Sequence, residues 1–95
     1  MYTSKNFKTK KALKDQVDLY NAAIAAGKSD RAAGNEAEAE KEDRIAARNE
    51  VTLYAPGLGT PKENGTEFVE GPHYPEPHKW YAQVTVKDGI VVKVK

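Results

Sequence analysis

Between Thr9 and Gly27 the apolar residues Leu13, Val17, Tyr20 and Ile24 follow one another at spacings of four, three and four, which is one stripe of an α-helix. The pattern predicts a helix with Thr9 as N-cap and Gly27 as terminator. Threonine can accept from a free first-turn amide, and glycine enters the left-handed terminating conformation without a Cβ clash. Leu19 and Ala23 widen the stripe. A second helix is expected from a cap at Ser29 or Asp30 to Arg48, with Gly34 and Asn35 breaking or delaying its start. It is made of strong helix formers, yet Ile45 is its one large apolar residue.

From Val51 the period changes to two. Val51 and Leu53 alternate with Thr52 and Tyr54, Asn64-Gly65 turns into a short, edge-like strand at residues 66–70, and Trp80, Ala82, Val84 and Val86 alternate with Tyr81, Gln83, Thr85 and Lys87. For the last hairpin, a two-residue Asp88-Gly89 turn would set Val84 beside Lys93 and mix charge into the apolar face. A three-residue loop Lys87-Asp88-Gly89 instead pairs Val86 with Ile90, Val84 with Val92 and Ala82 with Val94. That register leaves Tyr81, Gln83, Thr85, Val91, Lys93 and Lys95 on the opposite, polar and basic face. The fold class that follows is α+β: an N-terminal helix or helical hairpin packed on a three- or four-stranded antiparallel sheet. One domain over residues 1–95 is expected, helical over 9–49 and sheet over 51–95.

The large core candidates are few: Phe7, Leu13, Val17, Leu19, Tyr20, Ile24, Ile45, Val51, Leu53, Phe68 and Val69, with Trp80 and the valines and isoleucine of the last strands. So small a core favours self-association. The second helix, short of apolar residues, reads as an exposed arm or as the seam of a homodimer through Ala33, Ala37 and Ile45, completed by the Leu19 flank.

Composition narrows the chemistry. The 95 residues contain no cysteine, which excludes disulfides, thiolate metal sites and cysteine nucleophiles. No stretch approaches the roughly 18 apolar residues of a membrane span, and the N-terminal residues carry no apolar run of signal-peptide length, so the expected location is the cytoplasm. Net charge is only +1, but it lies in blocks. Residues 1–14 hold Lys5, Lys8, Lys10, Lys11 and Lys14 without an acid, and residues 15–50 are predominantly acidic.

Residues 71–81, GPHYPEPHKWY, form the segment densest in groups able to bond or stack, with three prolines to stiffen it. His73, Tyr74, His78, Trp80 and Tyr81 are the candidate partner-binding residues, against the alternative that the loop covers one end of the sheet and Tyr74 or Trp80 plugs the core. His73 and His78 with Glu70 or Glu76 have the donor types of a zinc site, but a five-residue separation in such a loop imposes no tetrahedral geometry, and no metal or other cofactor is expected. The same histidines could move protons, yet the only serines, Ser4 and Ser29, lie in the helical half without a nucleophile motif. Residues 57–62, GLGTPK, lack the spacing of a phosphate-binding loop. Lys5, Lys8, Lys10, Lys11, Lys14, Lys93 and Lys95, with Trp80 and Tyr81 as exposed aromatics, make a second candidate surface, one for nucleic acid.

The stretches NFKTKKALKDQV and EGPHYPEPHKWYAQVTVKDGIVVKVK resemble small proteins encoded by tailed bacteriophages and prophages. In that family a short lysine-rich helix leads quickly into the strand matching residues 51–54, which would make residues 20–49 an insertion or an extended helix. The resemblance implies no catalytic residue. It implies a small accessory protein of the host cytoplasm that binds a host or phage component. With the residues, the leading expectation is a non-enzymatic protein that binds a protein partner; the lysines and sheet face make a nucleic-acid-binding module the alternative, and the histidines make a small metal-dependent or acid-base enzyme third.

Overall fold

The computed structural model describes residues 1–54, 60–72 and 79–95. The architecture is α+β, with elements in the order β1 (Tyr2–Thr3), α1 (Lys10–Ala32), α2 (Glu36–Asn49), β2 (Leu53–Tyr54), β3 (Gly65–Gly71), β4 (Trp80–Lys87) and β5 (Ile90–Val94). β3, β4 and β5 form an antiparallel sheet in that order, and β1 pairs antiparallel with β2.

Hydrogen bonds at both edges join the two sheets into a ring. Glu70 N donates to Met1 O at 3.0 Å, linking β3 to the N-terminal strand, and Ser4 N donates to Thr52 O at 2.7 Å. On the other side Val91 N donates to Val51 O at 2.8 Å, beside a bridge between Thr52 and Ile90. Around the circuit each strand edge meets a neighbour, so backbone groups that an open sheet would expose are paired. Thr3, Val51, Val69, Trp80, Ala82, Val84, Val86 and Val91 fill the interior, closed off by Phe7, Leu13 and Val17. Thr3 is the buried polar member, and its Oγ1 donates to Lys5 O at 2.7 Å.

Thr9 caps α1 as its side chain predicts, accepting from Ala12 N at 3.1 Å. Leu13 and Val17 are fully buried against the sheet, while Tyr20 and Ile24 are half-buried at its rim. Gly27 does not end the helix. α1 runs through it to Ala32, and the chain reverses at Gly34, whose φ of +80° is the left-handed cap. The sequence offered two glycines seven residues apart, and Gly27 is instead buried in the helix pair, where a Cβ would reach α2 at 3.4 Å from Asp43 Oδ1 and 3.8 Å from Ala39 O, so the site has room for a methyl group and little more. Asn35, and not Ser29 or Asp30, is the N-cap position of α2.

Nor is α2 an arm. It packs along α1 through Ala23 and Gly27 on one side and Ala39 and Ala46 on the other, all buried, and Arg31 bridges to Asp43 at 2.5 Å. Small side chains let the two helix axes approach closely, which supplies contact without large apolar residues. The hairpin extends beyond the sheet, and the molecule measures 46 × 24 × 20 Å.

The last hairpin also differs from the expected register. Asp88 and Gly89 form a two-residue turn with φ of 52° and 80°, and Lys87 pairs with Ile90. The extra residue sits within β5 as a bulge: Val86 pairs with Val91, Thr85 with Lys93 and Val84 with Val94. The apolar face is restored one step later than a wider loop would have restored it, and Val91, expected on the polar face, is fully buried.

Candidate functional site

Strand parity decides which side chains leave the core. Trp80, Ala82, Val84 and Val86 point inward, so Tyr81, Gln83 and Thr85 point out, as do Thr66, Phe68 and Glu70, their partners on β3. Phe68, expected in the core, is 70% exposed, and Tyr81 is 64% exposed. Phe68 is paired with Gln83 and Tyr81 with Glu70, so the two rings are diagonal neighbours on one outward face. Leu19, another expected core residue, is exposed on α1.

An open cleft of about 300 Å³ lies between these rings, and its walls include Lys10, Phe68, Tyr81, Gln83 and Lys95. Lys10 arrives from the first turn of α1, and Lys95 is held by its backbone N–H donating to Gln83 O at 2.8 Å. Lys93 stands on the same face opposite Thr85. Lys10, Lys93 and Lys95 form no salt bridge among the described residues.

The N-terminal lysines do not act as one patch. Lys11 bonds Asp15 at 2.8 Å and Lys14 reaches Asp18 at 3.4 Å, each one helical turn on, and Lys5 Nζ donates to Arg48 O at 2.9 Å, pinning the N-terminal segment to the end of α2. The Lys11 ammonium is held above its ordinary value by that Asp15 hydrogen bond. Lys8 is exposed. Of the five lysines, Lys10 is the one the fold brings to the aromatic face.

The same face continues onto β1 and β2. Thr3 and Leu53 turn inward, so Tyr2 and Tyr54 turn out, and their rings lie 5.8 Å apart at a 35° tilt. Tyr2 is tied to Glu70, the residue opposite Tyr81. Partial burial first, and then the Glu70 carboxylate, raise the Tyr2 phenol above its usual range, so it stays neutral and donating. The Met1 amine approaches Glu70 at 3.9 Å, so the carboxylate paired opposite Tyr81 is partly neutralised.

Trp80, a candidate partner contact, belongs to the core. It is 8% exposed, its Nε1 donates to Phe7 O at 2.9 Å, and its ring lies over Gly71, where a Cβ would sit 2.7 Å from Cε2. His73, Tyr74, Glu76 and His78 lie outside the described residues, as do residues 57–59 of the glycine-containing segment at 57–62. Sequence reasoning missed Phe68, Tyr2 and Tyr54 as surface residues. Phe68 was detectable in principle, since it has the opposite parity to Val69 on a strand whose other apolar residue is buried.

A second cleft, of about 370 Å³, lies where α1 leaves the sheet, between Tyr20, Asn21 and Ile24 and the residues Ile90 and Val92, with Lys87 and Asp88 at its mouth. Asn21 Nδ2 is already used, donating to Val92 O at 2.8 Å, and the mouth carries one charge of each sign. The described residues contain no group of three metal-ligating side chains and no helix long and apolar enough to cross a membrane. Comparison of the chain with protein-family models, with curated proteins and with solved structures finds no match.

Proposed function

We propose that this protein is a non-enzymatic binding module whose outward sheet face takes nucleic acid. The observation that carries the reading is the pairing of two exposed aromatic rings, Phe68 and Tyr81, with three lysines, Lys10, Lys93 and Lys95, that no carboxylate neutralises among the described residues. Aromatic rings left in water add little to the core, whereas each offers a stacking surface to a base. Lysines around them match the charge of phosphates. This favours the nucleic-acid reading over a protein partner at the proline-rich loop, because Trp80, the described anchor of that loop, is taken up by the core. The phage resemblance fits such a module working in a bacterial cytoplasm.

Fluorescence anisotropy with labelled single- and double-stranded oligonucleotides at low salt tests the reading. Binding weakened about 5-fold or more by Phe68→Ala or Tyr81→Ala is the expected result, since stacking is worth about 1–3 kcal/mol per base. No binding of any nucleic acid at about 100 µM protein, where even non-specific contacts register, would refute it.

A further inference from the structure

From the way the ring of strands closes, we infer that the aromatic face extends from Phe68 and Tyr81 onto the Tyr2–Tyr54 pair, forming a track for single-stranded nucleic acid that crosses the β-strands. The inference rests on the proposed nucleic-acid reading and specifies its substrate class and direction. Three observations point the same way. Tyr2 and Tyr54 face outward by the same parity as Phe68 and Tyr81, because their neighbours Thr3 and Leu53 face the core. The hydrogen bond from Glu70 N to Met1 O sets β1 alongside β3, so the Tyr2 ring follows the Glu70 and Tyr81 positions without a gap in the sheet. Cations and rings are spread around the circuit, with Lys93 and Lys95 on β5, Lys10 at the cleft beside β3 and β4, and the two tyrosines on β1 and β2, which β5 meets again on its other side.

A duplex hides its base faces within its own stack and would gain nothing from four outward rings, so it would be left with three lysines. A single strand presents both phosphates and bases. Followed round the outside of the ring from β5 through β4, β3 and β1 to β2, the path takes four of the five strand spacings, about 19 Å at the usual separation. That suits a footprint of about four nucleotides, the low end for small barrel surfaces. With three phosphates neutralised, log affinity should fall with log salt at a slope of about −2.

The experiment compares fluorescein-labelled oligothymidines of three and eight residues with an eight-base-pair duplex, on the full chain and on Phe68→Ala, Tyr54→Ala and Tyr54→Phe. Thermal melting confirms the fold of each. The inference expects the octamer to bind at least 10-fold tighter than the duplex. Tyr54→Ala should weaken the octamer about 5-fold or more while leaving the trimer nearly unchanged, and Tyr54→Phe should restore binding because the ring is what matters. Equal affinity for duplex and single strand overturns the substrate class. Octamer binding that is sensitive to Phe68→Ala but indifferent to Tyr54→Ala overturns the track and leaves the nucleic-acid reading standing. Absence of any nucleic-acid binding overturns both and hands the face to a protein partner.

Discussion

Replacing Gly71 by alanine asks whether the indole of Trp80 is held as tightly as the packing implies. The φ of Gly71 is not in the left-handed region, so the backbone accepts alanine, and stiffening the unfolded chain should by itself stabilise by about 0.4–1 kcal/mol. Against that, the new Cβ would lie 2.7 Å from Trp80 Cε2 and 3.1 Å from Nε1, and closer still to Cζ2. The indole cannot swing aside without breaking its hydrogen bond to Phe7 O. Overpacking a core costs about 1–3 kcal/mol, so the net loss should be about 1–2 kcal/mol, or about 1–2 M in urea midpoint at a slope of about 1 kcal/mol per M. Trp80 is the only tryptophan and reports on its own surroundings by fluorescence. The decisive comparison is the same change in Trp80→Phe, followed by circular dichroism. Phenylalanine lacks the outer edge of the indole that carries Cζ2, the atom the Cβ would approach most closely, so Gly71→Ala should cost much less there, with a coupling of at least about 1 kcal/mol between the two sites. Equal losses in both backgrounds would show that the clash is not with the indole, and the reasoning would fail.

Gly27→Ala should stabilise by about 0.5–1 kcal/mol, because its Cβ meets Asp43 Oδ1 at 3.4 Å, an ordinary contact, and alanine is the better helix former; Gly27→Leu should instead lower the melting temperature by pushing α2 away. Asp43 is held below its ordinary 3.8, first by its hydrogen bond from Arg31, so its contribution is present above that value and is lost as pH falls through the lower folded one. Wild type should therefore exceed Asp43→Asn in urea midpoint at pH 7, and the difference should shrink as pH drops below about 3.8; a difference that stays constant to pH 2 would contradict this.

Long periodic segments were legible because many residues vote for the same period. The alternation of Trp80 to Lys87 and the Leu13–Val17 stripe both place side chains where the structure has them. The alternation of Val51 and Leu53 with Thr52 and Tyr54 gave the parity of β2, but β1 is two residues long and is specified by hydrogen bonds to distant partners, so neither the closing of the ring nor the outward Tyr2 could be read from local pattern. The β5 bulge was invisible for a related reason, since a register can be repaired inside a strand as well as at its turn. Gly27 shows a different ambiguity: the residue that ends a helix and the residue that lets a second helix come close are the same amino acid, and only the position of α2 separates the two roles. The lysines were legible as a block in sequence, but the one-turn spacing of Lys11 and Lys14 to Asp15 and Asp18 removes them from the site.

The alanine and glycine seam between α1 and α2 has a bearing on how this chain can vary. Ala23 and Gly27 stand one turn apart, and Ala39 and Ala46 two turns apart, so this part of the contact repeats in whole turns, with Arg31 reaching across it to Asp43 and Glu36. The ring of strands is closed by residues 1–5 and 51–54 at the foot of the two helices, and its interior contains nothing from α2. Matched deletions of one turn from each helix should therefore move the tip inward along the seam while the barrel-like base keeps its shape, making the hairpin a telescoping part on a base of constant diameter.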